Sequence, residues 1–356
     1  MSSTPPFTSA PQPDEAKPNH PSGIPTPTTP TTGMELLSAN ASTRRRSLPG
    51  AILRACWQLF TMNSNMLVGS LIVGLFFLLA IFGPLLARYD PNALTTDILL
   101  PPSADHWLGT TQAGQDVFAQ LMYGTRSSIL WGLLAGVLVT FIYTIVGLAA
   151  GYFGGLIDEL LSLLINIFLV LPGFPLALIL AAYIPYKGPL TVVLVIAFTS
   201  WPGHARIIRA QTLSMRNRDF TEAARSSGEA TWRIIFFEVL PNMIAIVASG
   251  FVGTMISVIL AIAGLEFLGL GDIRSISWGS MFFWAQNSSA LIQGAWWWFV
   301  PPGLCIALLS AGLTFINIGL DEIADPRLRS EIIRLPRRKK RSAEEATPVL
   351  VPPLES

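Results

Sequence analysis

Five stretches of this chain run for more than 20 residues without one charged side chain: Met66 to Ala87, Ser128 to Phe153, Leu160 to Ile184, Met243 to Leu265 and Phe299 to Leu320. About 20 apolar residues, rising 1.5 Å each in a helix, cross a hydrocarbon core of roughly 30 Å. A shorter run, Pro189 to Gly203, is completed at its polar end by His204 to Ile208. Six spanning helices are therefore predicted. With 51% of all residues hydrophobic and 13% charged, the chain reads as an all-α, polytopic membrane protein rather than a soluble one. Cys56 and Cys305 fall at a membrane edge and inside a span, so neither a disulfide nor a metal framework is expected.

Charge sets the predicted orientation. With both termini in the cytoplasm, 19 of the 23 lysines and arginines lie inside, and only Arg88, Arg126, Lys187 and Arg274 lie outside. Such asymmetry follows the rule that basic loops stay in the cytoplasm.

Residues 1–50 are rich in Pro, Thr and Ser and poor in aromatics, a composition that cannot offset chain entropy by burial; they are expected to be disordered and to carry no secretory signal. Residues 51–65 predict an interfacial elbow helix with Trp57 at headgroup depth. The basic tail, 326–356, is expected to sit near anionic headgroups, and no nucleic-acid role is assigned to it. Between them, 66–325 forms the transmembrane domain. In the first outer segment Gly109 and Gly114 read as turn residues, and Asp116 to Tyr123 predicts a short amphipathic helix lying on the outer surface.

Within the spans, Gly132/Gly136 and Gly147/Gly151 place small residues one turn apart, which lets backbones approach closely; packing within the subunit and pairing between subunits both remain open. Pro172 and Pro175, flanking Gly173, remove backbone donors and predict a broken third span of the kind that lines transport pathways, beside the plainer reading of a kink with no such role.

Chemistry-bearing motifs are few. None of the four lysines follows a glycine, so the chain has no P-loop, and the three histidines are scattered, without a hydrolase or zinc signature. No enzymatic activity is expected. A secondary transporter or channel is the out-of-class alternative, yet no acid or base stands near the middle of any span to carry ions; Glu266 lies at the outer end of the fifth.

The polar interruption at 206–241 is the most informative segment. Arg206 to Met215 should continue the fourth span, Thr221 should cap a new helix with Glu222 in its first turn, and Gly228 should end that helix. A second helix, Ala230 to Val239, should stop at Leu240–Pro241. The result is a helical hairpin with small Ala223 and Ala224 on its first helix, shaped to dock into a groove of a cytoplasmic partner.

Glu222-Ala223-Ala224-x3-Gly228, followed by Leu240-Pro241, resembles the EAA motif of permease subunits of binding-protein-dependent ABC importers. The wider pattern is similar to the C-type permease of the dipeptide/oligopeptide group: HWLGTTQAGQDVFAQLMYGTRSSI (106–129), GYFGGLIDELL (151–161), LPGFPLAL (171–178), FLGLG (267–271), SWGSM (277–281) and DPRLR (325–329). The resemblance covers about residues 50 to 329. It implies a type I ABC importer permease in the prokaryotic plasma membrane, paired with a homologous permease, two cytoplasmic ATPases that hold the ATP and magnesium, and an extracytoplasmic binding protein. It also implies that Glu222 to Gly228 form the coupling helix, and that the imported substrate is a dipeptide or oligopeptide. Nickel chelates, glutathione and oligosaccharides are carried by related systems.

Four residues in three places depart from the family pattern. Gln115 stands where Arg is common. Phe237-Glu238 replace an Arg-His pair, which marks them as determinants of the ATPase partner. Glu266 replaces a small residue, and is expected to face the outer vestibule near Arg274 and contribute to substrate selection.

Overall fold

The computed structural model describes residues 64–324. The expected tails, 1–50 and 326–356, and nearly all of the expected elbow helix, with Cys56, lie outside the described residues; Ser64 and Asn65 already belong to the first helix.

That helix, α1, spans Ser64–Leu86. Helix α2 spans Val117–Phe153, α3 Gly155–Val170, α4 Gly173–Tyr183, α5 Pro189–Thr199, α6 Pro202–Arg216 and α7 Asp219–Ser226. A composite helix α8 covers 231–242, where a π turn, Ile234–Val239, joins Thr231–Arg233 to Leu240–Asn242. Helices α9 (Ile244–Phe267), α10 (Trp278–Asn287) and α11 (Trp296–Ala324) complete the chain. No strand occurs among the described residues. Helices α1, α2, α9 and α11 are each long and apolar enough to cross a membrane, and α3–α4 and α5–α6 qualify only as pairs bent by 88° and 44°.

The first bend falls where the prolines predict it. Helix α3 ends at Leu171, and Pro172 opens α4, with Pro175 in the first turn, where a missing N–H has no intrahelical partner to lose. The second bend, of 44°, falls within the expected fourth span, at Pro202. Pro202 cannot donate to the carbonyl of Phe198 four residues back; the indole N–H of Trp201 donates to that oxygen instead, at 2.9 Å. Pro241 has a similar effect. Its helix continues through Leu240–Asn242 rather than stopping there, and the preceding turn widens so that the Leu240 N–H donates to Ile235 O, five residues back.

The surface helix expected over Asp116 to Tyr123 is instead the start of α2, a single helix of 37 residues and about 55 Å. Asp116 is its N-cap and accepts from the Ala119 N–H at 2.8 Å. The helix runs unbroken through Gly124, where a Cβ would stand 3.3 Å from the Ser277 carbonyl carbon. Outside α2, Gly109 and Gly114 turn the chain at φ +68° and +74°, and the first is pressed against the Trp297 ring. The Trp297 Nε1–H donates to Thr110 O at 3.2 Å, so the outer loop is pinned to the start of α11.

Small residues set how close the long helices come. A Cβ on Gly69 of α1 would lie 2.5 Å from the Gly312 carbonyl of α11. On α2, Gly132 and Gly136 face Ile259 and Met255 of α9, while Gly147 and Gly151 face Ile208 and Thr212 of α6. Both pairs therefore serve packing within this chain. At Gly147 the nearest atom would be Ile208 Cβ at 2.6 Å, and at Gly151 Thr212 Cβ at 2.5 Å. Those atoms are tied to backbone and cannot swing away, unlike the Met255 thioether opposite Gly136. Gly147→Val and Gly151→Val should each lower stability by about 1 to 3 kcal/mol, and Gly136→Ala by less; thermal unfolding of the purified protein in detergent measures all three.

Candidate functional site

The hairpin made by α7 and α8 follows α6, and its second helix buries Ile234, Ile235 and Val239 in the core of the bundle. Its first helix begins at Asp219, two residues before the expected cap. Thr221 is not the cap; it lies buried in the first turn, and its hydroxyl donates back to Met215 O at 2.9 Å. Asp219 and Glu222 put carboxylates in the first turn, where the helix dipole favours them. At the other end Gly228, at φ +78°, donates to Arg225 O while the Glu229 N–H reaches Ala224 O, so the last carbonyls are satisfied as the chain reverses.

Burial divides the motif. Glu222 and Ala223 are exposed along the outer edge of α7, whereas Ala224 is half-buried and packs with Leu240 against the core that holds Ile234, Ile235 and Val239. Pro241 is exposed. Phe237 is 63% exposed and its ring meets that of Trp232 at 6.2 Å, while Glu238 is half-buried and its backbone carbonyl accepts from the Asn242 amide.

Three contacts anchor the hairpin and the helix that carries it. The Arg225 guanidinium stands 6.0 Å from the centre of the Tyr152 ring at the end of α2. The Thr212 hydroxyl of α6 donates to Ile208 O and stands 3.7 Å from the Met243 sulfur, so α6 meets the chain where α8 gives way to α9. Most directional is the Asp158–Arg209 pair: Nε donates to Oδ1 at 2.5 Å and Nη2 to Oδ2 at 2.8 Å, a two-bond fork between the first turn of α3 and the middle of α6. Ser162 adds a third bond to Asp158 at 2.9 Å. Sequence reasoning overlooked this pair, although an acid and a base of opposite sign at the ends of two apolar runs are the signal for it.

At the bend between α3 and α4, Pro172, Gly173 and Pro175 are exposed. Phe174 between them touches α9, since a Cβ on Gly264 would lie 3.1 Å from its ring. The bend and Glu266 thus approach the same end of α9. Glu266 itself does not face a vestibule. It is 5% exposed and accepts from the Ser277 hydroxyl at 2.6 Å, the nearest atoms to Gly279 being its own. Ser277 is the N-cap of α10 and also accepts from the Ser280 N–H at 3.0 Å, and Ser128 of α2 accepts from the Trp278 N–H at 3.0 Å. Glu266 thus joins α9 to the start of α10, which the Trp278–Ser128 bond ties to α2. Among the described residues no group of three His, Cys, Asp or Glu is placed to hold a metal ion.

The fork is testable by a double-mutant cycle. Asp158→Ala and Arg209→Ala should each destabilise, and the double variant should recover about 1 to 3 kcal/mol relative to their sum, measured by thermal unfolding in detergent.

Comparison with known proteins bears on the whole arrangement. Residues 143–330 match the family described as binding-protein-dependent transport system inner membrane component, and residues 53–102 match the N-terminal transmembrane domain of oligopeptide transport permease C. The chain is 34% identical over 275 residues to the oligopeptide transport system permease protein OppC of Bacillus subtilis, covering 76% of this chain and 88% of the relative. It is 34% identical over 292 residues to the dipeptide transport system permease protein DppC of the same organism, covering 81% and 89%. A di/tripeptide transport system permease protein DppC of Pseudomonas aeruginosa is 35% identical over 286 residues, covering 78% of this chain and 93% of that one.

Proposed function

The chain belongs to the family of inner membrane components of binding-protein-dependent transport systems, and from that premise we propose that it forms half of the pathway through which an ABC importer carries dipeptides or oligopeptides. It is a transport subunit and not an enzyme. Counting each bent pair as one span gives six, with both termini and the α7–α8 hairpin in the cytoplasm of a prokaryotic cell and 66–325 as the permease domain between its two tails.

The observation that carries this reading is the division of the hairpin into an anchored inner side and a free outer edge. Ala224, Thr221 and Arg225 fasten α7 to the bundle, leaving Glu222 and Ala223 outward. An outer edge of that kind fits a groove on a cytoplasmic ATPase, and the inner side passes the movement of that groove to α6 and α2 as a rigid body. Two ATPases would supply the ATP and magnesium, a homologous permease the other half of the pathway, and an extracytoplasmic protein the substrate. Gly228 supplies the turn, Leu240 and Pro241 the return to α9, and Phe237 and Glu238 select the ATPase partner. Pro172, Gly173 and Pro175 bring the open backbone of the α3–α4 bend to the pathway, supported by Glu266 from behind.

Glu222→Ala and Gly228→Trp should leave the subunit at its normal level in the membrane while uptake of a labelled dipeptide and substrate-stimulated ATP hydrolysis fall together. Normal uptake in both variants would refute the assignment of the hairpin. Uptake of nickel chelates, glutathione or oligosaccharides in place of peptides would keep the machinery and change the cargo.

A further inference from the structure

Of the four basic residues assigned to the outer side, one is occupied by its own chain: the Lys187 ammonium donates to the carbonyls of Ala181 and Ala182 at the end of α4, at 2.5 and 3.2 Å. The other three come from separate elements. Arg88 follows α1, Arg126 lies in the third turn of α2, and Arg274 sits in the loop between α9 and α10. All three are exposed, and none of their guanidinium groups has an ion pair or hydrogen bond among the described residues. Yet they line one cleft of about 770 Å³, together with Tyr89, Tyr123 and Trp131. Asp90 is the single carboxylate in its wall, and it already accepts from the Asn92 N–H at 2.9 Å. Three separate elements thus deliver unneutralised positive charge to one place.

What lies beneath the cleft distinguishes its ligands. Along α2, the exposed face that begins with Tyr123 and Arg126 continues through Leu130, Leu134, Val137, Phe141 and Ile145, at spacings of three and four that keep one helix face. That stripe offers no hydrogen bond. A peptide moving past it would leave its own amides unpaired, whereas an acyl chain requires nothing more. Arginines, tyrosines and a tryptophan at the head of an apolar face are the side chains that stabilise a position at the headgroup boundary, and the guanidinium fork matches a phosphate diester better than it matches a diffuse charge.

We propose that Arg88, Arg126 and Arg274 form a binding site for the headgroup phosphate of an anionic phospholipid, one of whose acyl chains lies along the α2 stripe. Its placement in the outer leaflet rests on the orientation given above; the binding does not, and the test reads binding alone.

The full chain, purified in mild detergent and stripped of lipid, is titrated with dioleoyl phosphatidylglycerol, dioleoyl phosphatidylcholine, inorganic phosphate or trialanine, and its thermal midpoint is followed. Phosphatidylglycerol should raise the midpoint at lower concentration than phosphatidylcholine, and the two soluble ligands should leave it unmoved. Replacing all three arginines by glutamine should raise the half-saturating phosphatidylglycerol concentration about a hundredfold, at about a factor of five per cation. Lys187→Gln should leave that concentration unchanged. An undiminished phosphatidylglycerol response in the triple variant overturns the proposal, and so does an equal midpoint shift with trialanine, which would make the cleft a cargo site, or with phosphate alone. If the triple variant does not fold, Arg126→Gln and Arg126→Lys decide the matter by native mass spectrometry. Retention of bound phosphatidylglycerol by the lysine variant and its loss by the glutamine variant support the site; equal retention by both refutes it.

Discussion

The contact between α2 and α6 at Gly147 and Gly151 is the one on which the rest of the arrangement depends. Because neither glycine carries a Cβ, Ile208 and Thr212 of α6 come up against the α2 backbone itself. Lipid tails are as apolar as leucine, so helices in a bilayer gain little from hydrophobicity alone and adhere through such close packing. Thr212 in turn touches Met243, and Tyr152, one residue after Gly151, carries the Arg225 guanidinium. A displacement of the hairpin therefore reaches α2 and α6 through groups in direct contact, with no flexible linker between them.

Breaks in the helices follow a common accounting. In a bilayer each carbonyl that loses its helical donor must find another, and this chain solves that problem locally at Pro202 and Pro241. Trp201 supplies an indole N–H in place of the donor missing at Pro202, and a π turn shifts the hydrogen bonds ahead of Pro241. Pro172 and Pro175 sit where a helix begins, so there is no bond to replace. The bends at these prolines are sharp, up to 88°. Asp158 and Arg209 hold the far end of the same region, tying the start of α3 to α6 below both bends.

Much of this was legible in the sequence because it depends on local rules. Uncharged runs marked the apolar helices, paired glycines marked close approaches, and Gly228 marked a turn that needs φ above zero. Features set by distant residues were not legible. Nothing in the hydropathy near Trp201 reveals that its indole will satisfy Phe198, so the bend at Pro202 was not legible. Asp116 to Tyr123 looked like a short surface helix because its apolar residues recur at helical spacing, yet it is the first part of the 37-residue α2. Glu266 at the end of an apolar run looked like a residue facing water, and its burial follows from Ser277 and Gly279, which lie across a loop. Ala223 and Ala224 are identical in sequence terms, and only the core beneath α8 decides that the second faces inward.

The central claim is that the hairpin and the body of α2 move as one unit when ATP binds. Nitroxide labels at Ser227, beside the hairpin turn, and at Phe141, exposed near the middle of α2, report on it directly once Cys56 and Cys305 have been replaced by alanine. Electron–electron double resonance on the assembled transporter, in the nucleotide-free state and with ATP trapped, should give the same distance and the same width within this subunit. A distance that shifts or broadens on ATP binding would mean that the hairpin swings on its anchors, contradicting rigid transmission.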